Sequence, residues 1–228
     1  VVASGDNAGE ITVRHILVYA DSLSWGIIPE TRARLPFDRR WPGVMEIALN
    51  AGGADVRVIE DCLNGRTTVW DDPFKPGRNG LAGLAQRIEI HSPLALVVLM
   101  LGTNDFQSMH AHNVWHASQG IAALITAIRH APVEPGMPIP PVLIVAPPPP
   151  RTPKGAIAPK FAGAERRSAG LATAYAEVCR EHGCQFFDAG TVVATSDIDG
   201  VHLDGAAHTV LGQTLAGIVP LLLGGHGD

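Results

Sequence analysis

Residues 15–26 read HILVYADSLSWG, and the abrupt end of their apolar run decides the fold. Ile16 to Ala20 form a continuous apolar and aromatic stretch, the pattern of a strand buried on both faces. In α/β proteins such strands deliver functional groups at their C-terminal ends. Ser22 follows the run at the place where a nucleophile or a ligand contact would stand.

Outward from this run the pattern repeats. Further strands are expected at residues 56–61, 94–101, 142–146 and 185–187, and the first strand at 15–20. Helices are expected at 41–51, 80–91, 114–131, 164–182 and 206–222. Ile121, Leu124, Ile125 and Ile128 form one stripe at helical spacing, and Leu211, Leu215, Ile218 and Leu222 another. Successive βα units imply a doubly wound parallel sheet with helices on both faces, and five strands favour the order 2-1-3-4-5. The switch point then lies between the first and third strands, so the loops after Ala20 and Leu101 flank one crevice. The Pro-rich run at 146–160 can continue neither a helix nor an interior strand, and is expected as a rigid loop on that rim. Residues 1–14 read as an N-terminal extension and 15–228 as one domain.

The 228 residues carry a net charge of −5, with no Lys and Arg cluster on a periodic face, so neither nucleic acid nor an anionic membrane is expected as a partner. A small, uncharged or weakly charged ligand is. Three cysteines, Cys62, Cys179 and Cys184, are too few and too odd a set for a disulfide framework. Residues 1–14 contain no apolar leader core, and no stretch reads as long and apolar enough to span a bilayer. A soluble, cytoplasmic protein is expected, with a removed leader kept as the alternative because residue 1 is Val.

Four segments fall at the C-terminal ends of the expected strands: ADSLSWG (20–26), CLNGRTT (62–68), LGTND (101–105) and DIDGVHLD (197–204). A serine hydroxyl needs a base in hydrogen-bond reach, itself oriented by a third group. His202 can be that base. Asp199, three residues earlier, can meet its Nδ1–H and leave Nε2 facing Ser22. Asp204 is a plausible N-cap for the last helix, whose positive end disfavours imidazolium, so Asp199 must counter it.

Together the four segments resemble the SGNH (GDSL) hydrolase family, in its order and over residues 15–223. RTTVWDDP (66–73) and VLIVAPPP (142–149) suggest its bacterial arylesterase and acyltransferase branch. The resemblance implies a flavodoxin-like three-layer sandwich and a catalytic triad of Ser22, Asp199 and His202. It implies an oxyanion hole from the Ser22 N–H, the Gly65 N–H and the Asn104 side chain; Gly65, lacking a Cβ, can let its backbone approach a ligand. It further implies hydrolysis of short-chain and aryl esters through an acyl-Ser22 intermediate, acyl transfer to alcohols, no cofactor, and a homo-oligomer. A carbohydrate acetyl esterase or a thioesterase of the same family remains open, as does a flavodoxin-like module binding phosphate or flavin at DSLSWG.

The family usually has glycine where this chain has Ala20. Because Ala20 lies within the strand, a β-region backbone and a small packing adjustment are expected. Trp25 and Trp70 are candidate walls of the substrate pocket, with packing as the equal alternative. Asp21 and Asp105 read as structural hydrogen-bonders and Cys62 as a buried strand residue. His110, His112 and His116 resemble a metal cluster, but no Glu or Cys joins them, so no metal is expected; the last two would share a helical face.

Overall fold

The computed structural model describes residues 13–223. The expected N-terminal extension lies almost wholly outside the described residues. The strands β1 (Arg14–Ala20), β2 (Val56–Cys62), β3 (Leu96–Met100), β4 (Val142–Ala146) and β5 (Gln185–Asp188) form one parallel sheet in the order 2-1-3-4-5. Ala20 pairs with both Cys62 and Met100, so β2, β1 and β3 end level and their following loops open on one edge.

Among the described residues the helices are α1 (Ser22–Trp25), α2 (Trp41–Ala51), α3 (Leu84–His91), α4 (Val114–Arg129), α5 (Ala164–Arg167), α6 (Leu171–His182) and α7 (Gly205–Leu223). Alternation along β1 sorts them into layers. Leu17 and Tyr19, with Val97 and Leu99, pack beneath α3, α4 and α6, whereas Ile16, Val18 and Ala20 face α2 and α7. Both faces of the strand are covered from Ile16 to Ala20, which is why that part of its sequence is apolar.

Two expected helices are shorter than their sequence patterns. The stretch 164–182 is broken because Gly170, at φ 88°, takes left-handed backbone between α5 and α6. The helix expected from residue 80 begins only at Leu84, after Gly83 at φ 79°. By length and composition α7 is long and apolar enough to cross a membrane, contrary to the reading of the sequence. In the fold, its Ala207, Leu211, Leu215 and Val219 recur at helical spacing and are buried in the core shared with α2. Gly212 permits the close approach, since a Cβ there would lie 2.7 Å from the Trp41 carbonyl oxygen.

Candidate active site

The end of β1 is shaped by Asp21. Its Oδ1 accepts the Leu23 N–H at 2.9 Å, a side-chain cap that starts α1 at Ser22. Gly26, at φ 87°, closes the short helix after Trp25. Ala20 is fully buried in β1 and outside the left-handed region, so the departure from glycine is absorbed by ordinary strand backbone.

The end of β3 turns on a glycine whose need was not read from the sequence. Gly102 has φ 123°, and a Cβ there would sit 2.3 Å from Tyr175 Oη. No side chain fits. The turn at Thr103–Phe106 then carries Asn104 to the end of β1, where its Nδ2 lies 2.9 Å from Asp21 Oδ2 and 3.1 Å from the Arg66 carbonyl oxygen. Gln107 Nε2 donates to Asn104 Oδ1 at 2.7 Å, which fixes which end of the amide is the donor. Both Asn104 N–H groups thus have acceptors, and an oxyanion would have to share or displace the Arg66 carbonyl.

Gly65 follows β2 at φ 86°, and the nearest neighbour of a Cβ there would be Arg78 at 3.9 Å. What glycine supplies at this turn is the left-handed backbone; nothing among the described residues crowds the position. Neither the Ser22 N–H nor the Gly65 N–H has an acceptor among the described residues.

Asp199 and His202 close a tight turn. The Asp199 Oδ2 lies 2.6 Å from His202 Nδ1, while Oδ1 accepts the N–H groups of Val201 and His202, each at 2.9 Å. Nδ1 therefore carries the proton and Nε2 is left as an acceptor. Burial alone would raise the Asp199 carboxyl, but the hydrogen bond from His202, joined by the two backbone donors, outweighs it and holds the group below its ordinary value. Asp204 caps α7 as expected, accepting the Ala207 N–H at 2.8 Å.

Ser22, Gly65, Asn104 and His202 line one cavity of about 330 Å³. No hydrogen bond joins Ser22 to His202 among the described residues; in unliganded sites such contacts often tighten only with substrate. The apolar walls are Ile27, Ala156, Ile157 and Phe161. The latter three come from the 3₁₀ helix Gly155–Phe161, so the end of the stretch 146–160 expected as a rigid loop is helical and the helix runs one residue past it. Trp25 and Trp70, expected as walls, are not among the lining residues. The Arg34 guanidinium covers the Trp25 ring at 4.8 Å, and the Trp70 ring is taken up by His112, 4.1 Å away between centroids.

His112 also stacks on His110 and His116. Asn113 caps α4 in a capping box with His116, so His112 lies before the helix and the two do not share its face. No group of three or more metal-ligating side chains is arranged to hold an ion among the described residues. Cys62 ends β2 only half-buried.

Several residues were missed in the sequence. Arg66 is buried, donates to the carbonyls of Ala20 (3.0 Å) and Asp61, pairs with the Asp61 carboxylate at 2.8 Å, and lies 3.8 Å over the Tyr19 ring. It ties the ends of β1 and β2 together. Asp21 and Asp105 are structural hydrogen-bonders, as read from the sequence, and burial pushes each up to about 7 despite the hydrogen bonds they accept. Asp105 holds the Thr68 N–H at 2.8 Å and its hydroxyl at 2.5 Å. Arg32, Lys75 and Lys160 also line the cavity, and nothing in the spacing of the sequence announced them.

The profile of the GDSL-like lipase/acylhydrolase family matches residues 21–210. The chain is 38% identical to the native aryl esterase of M. smegmatis, covering 92% of this chain and 99% of that one with a TM-score of 0.85. It is equally 38% identical to a carbohydrate acetylesterase family member from Sinorhizobium meliloti, over the same shares of each chain, with a TM-score of 0.86. An arylesterase of Vibrio mimicus is 38% identical over 90 residues; that match spans 40% of this chain and 37% of the relative's length.

Proposed function

The chain belongs to the GDSL-like lipase/acylhydrolase family, and from that premise we propose that it is a serine esterase in which Ser22 is the nucleophile, His202 the base and Asp199 the group that orients it. That it is a carboxylic ester hydrolase rests on the family and on its arylesterase relatives. The observation that supports the residue roles is that His202, held by Asp199 at 2.6 Å, lines the cavity that Ser22 also lines.

Ser22 Oγ attacks the ester carbonyl while its proton passes to His202 Nε2. The Ser22 and Gly65 N–H groups, without other acceptors among the described residues, receive the oxyanion, with Asn104 Nδ2 as third donor. His202 then gives the proton to the departing alkoxide, leaving an acyl-Ser22. Water, or an alcohol, repeats the attack with His202 as base. A cavity of about 330 Å³ has room for a short acyl group together with a small aryl leaving group. A sugar acetate is the second reading of the same chemistry, supported by the S. meliloti relative.

The test is labelling with a fluorophosphonate, followed by peptide mapping and a panel of aryl esters, sugar acetates and acyl thioesters. Adduct on Ser22 alone is expected. Ser24 is the telling control: it is fully buried, and its hydroxyl accepts the Trp41 Nε1–H at 3.0 Å. An adduct there would overturn the assignment. Asn104→Ala should lower kcat by about 10²-fold to 10³-fold with KM little changed, since the donor acts on charge that develops only in the transition state. A change confined to KM would make Asn104 a substrate-positioning group instead.

A further inference from the structure

We propose that the ester cleaved at Ser22 itself carries a negative charge, held beside the reacting carbonyl by Arg32, Lys75 and Lys160. The inference rests on the esterase reading and narrows its substrate class.

Those three cations line the Ser22 cavity, and no Asp or Glu lines it with them. None of the three has a carboxylate oxygen within 4.0 Å among the described residues, whereas Arg40, Arg57, Arg66 and Arg151 all do. The acids in the adjoining grooves are otherwise engaged or unpaired with them. Asp199 holds His202, Asp72 accepts the Phe74 and Lys75 N–H groups at 2.8 and 3.0 Å, and Glu30 is exposed beside Arg32. Three cations and no carboxylate line the cavity itself, in a chain of net charge −5. Walls of low dielectric focus such a field on what enters.

The backbone under two of the cations is fixed, while the side chains of Arg32, Lys75 and Lys160 are exposed. Arg32 sits at φ 59°, a left-handed backbone that a long side chain rarely adopts, with its N–H on the Ile28 carbonyl at 2.9 Å. Lys160 rides on the segment that Ser108 fastens by two bonds, its N–H to the Lys160 carbonyl at 2.7 Å and its hydroxyl to the Pro159 carbonyl at 2.8 Å. That ties Lys160 to the chain just after Asn104. Burial pushes the Lys160 ammonium below its ordinary value, Asp72 opposes this, and Lys75, Arg32 and Arg78 push it lower still. An anion among them relieves that repulsion.

The test compares matched esters that differ only in charge. In the leaving-group arm, 3-acetoxybenzoate is set against 3-acetoxybenzamide. In the acyl arm, 4-nitrophenyl hydrogen adipate is set against the corresponding adipamate. At low ionic strength kcat/KM for the anionic member should exceed that of its neutral partner by about tenfold or more in at least one arm, and the arm that responds shows on which side the charge lies. Raising salt to about 0.5 M should shrink that ratio several-fold. Lys75→Gln/Lys160→Gln should bring the ratio toward one, read as a ratio so that any general loss of activity cancels. Ratios at or below one in both arms, with the neutral esters turned over, would overturn the inference and leave the esterase reading standing. An anionic preference unchanged in the double variant would overturn it as well. Failure to cleave any of the four esters would instead remove the reading on which it rests.

Discussion

Ser22→Ala and His202→Ala should each lower kcat by about 10⁵-fold to 10⁶-fold, and the double variant should be scarcely worse than either single one. Nucleophile and base act as one unit, so removing either removes the covalent route; what remains comes from the oxyanion donors and from binding. Ser22→Ala is a clean probe because the first position of α1 is capped by Asp21 through the Leu23 N–H, and the cap does not involve the Ser22 side chain. Alanine is the best helix former. The variant should therefore melt with the wild type, and steady-state kinetics beside a thermal melt would check both halves of the statement. Substantial turnover by well-folded Ser22→Ala would place the nucleophile elsewhere.

Asp199→Asn should cost about 10⁴-fold in kcat while leaving the turn intact. Asparagine keeps an oxygen to accept the Val201 and His202 N–H groups, as Asp199 Oδ1 does now. Its NH₂ then faces Nδ1 and demands the tautomer with the proton on Nε2, which offers Ser22 a donor where an acceptor is needed. Because the folded Asp199 carboxyl lies below its ordinary value of 3.8, its stabilisation is present above that pH and is lost as pH falls through the lower folded value. The stability gap between wild type and Asp199→Asn should accordingly narrow in acid. Denaturant titrations at several pH values would check it, and a gap constant down to pH about 2 would contradict it.

The inner strands β1, β3 and β4 were legible because burial on both faces leaves an unbroken apolar run in each, whereas the edge strands β2 and β5 carry charged or polar residues and were read from their place in the repeat, for which 2-1-3-4-5 is the common order. Ser22, Asn104, Asp199 and His202 were legible because each sits within a few residues of a strand end or helix start. Gly170 was not, since one glycine in a helical pattern reads as tolerated until its φ of 88° is seen. Trp25 and Trp70 were misplaced for a related reason: an indole near a site in sequence can be covered by any partner the fold brings up, here Arg34 and His112. Arg66 shows the same blindness from the polar side. A buried arginine that donates to two carbonyls is spelled like a surface one.

His202, the proposed base, stands 180 positions after Ser22 in the chain, and α7, which begins three residues after His202, is seated on α2 by Gly212, Leu211 and Leu215. A nascent polypeptide whose residues 199–223 are still inside the ribosome has already exposed the segments of all five strands, Ser22 and Asn104, and has not yet exposed His202. On the proposed roles, ester cleavage is expected only once His202 has emerged and α7 has docked on α2.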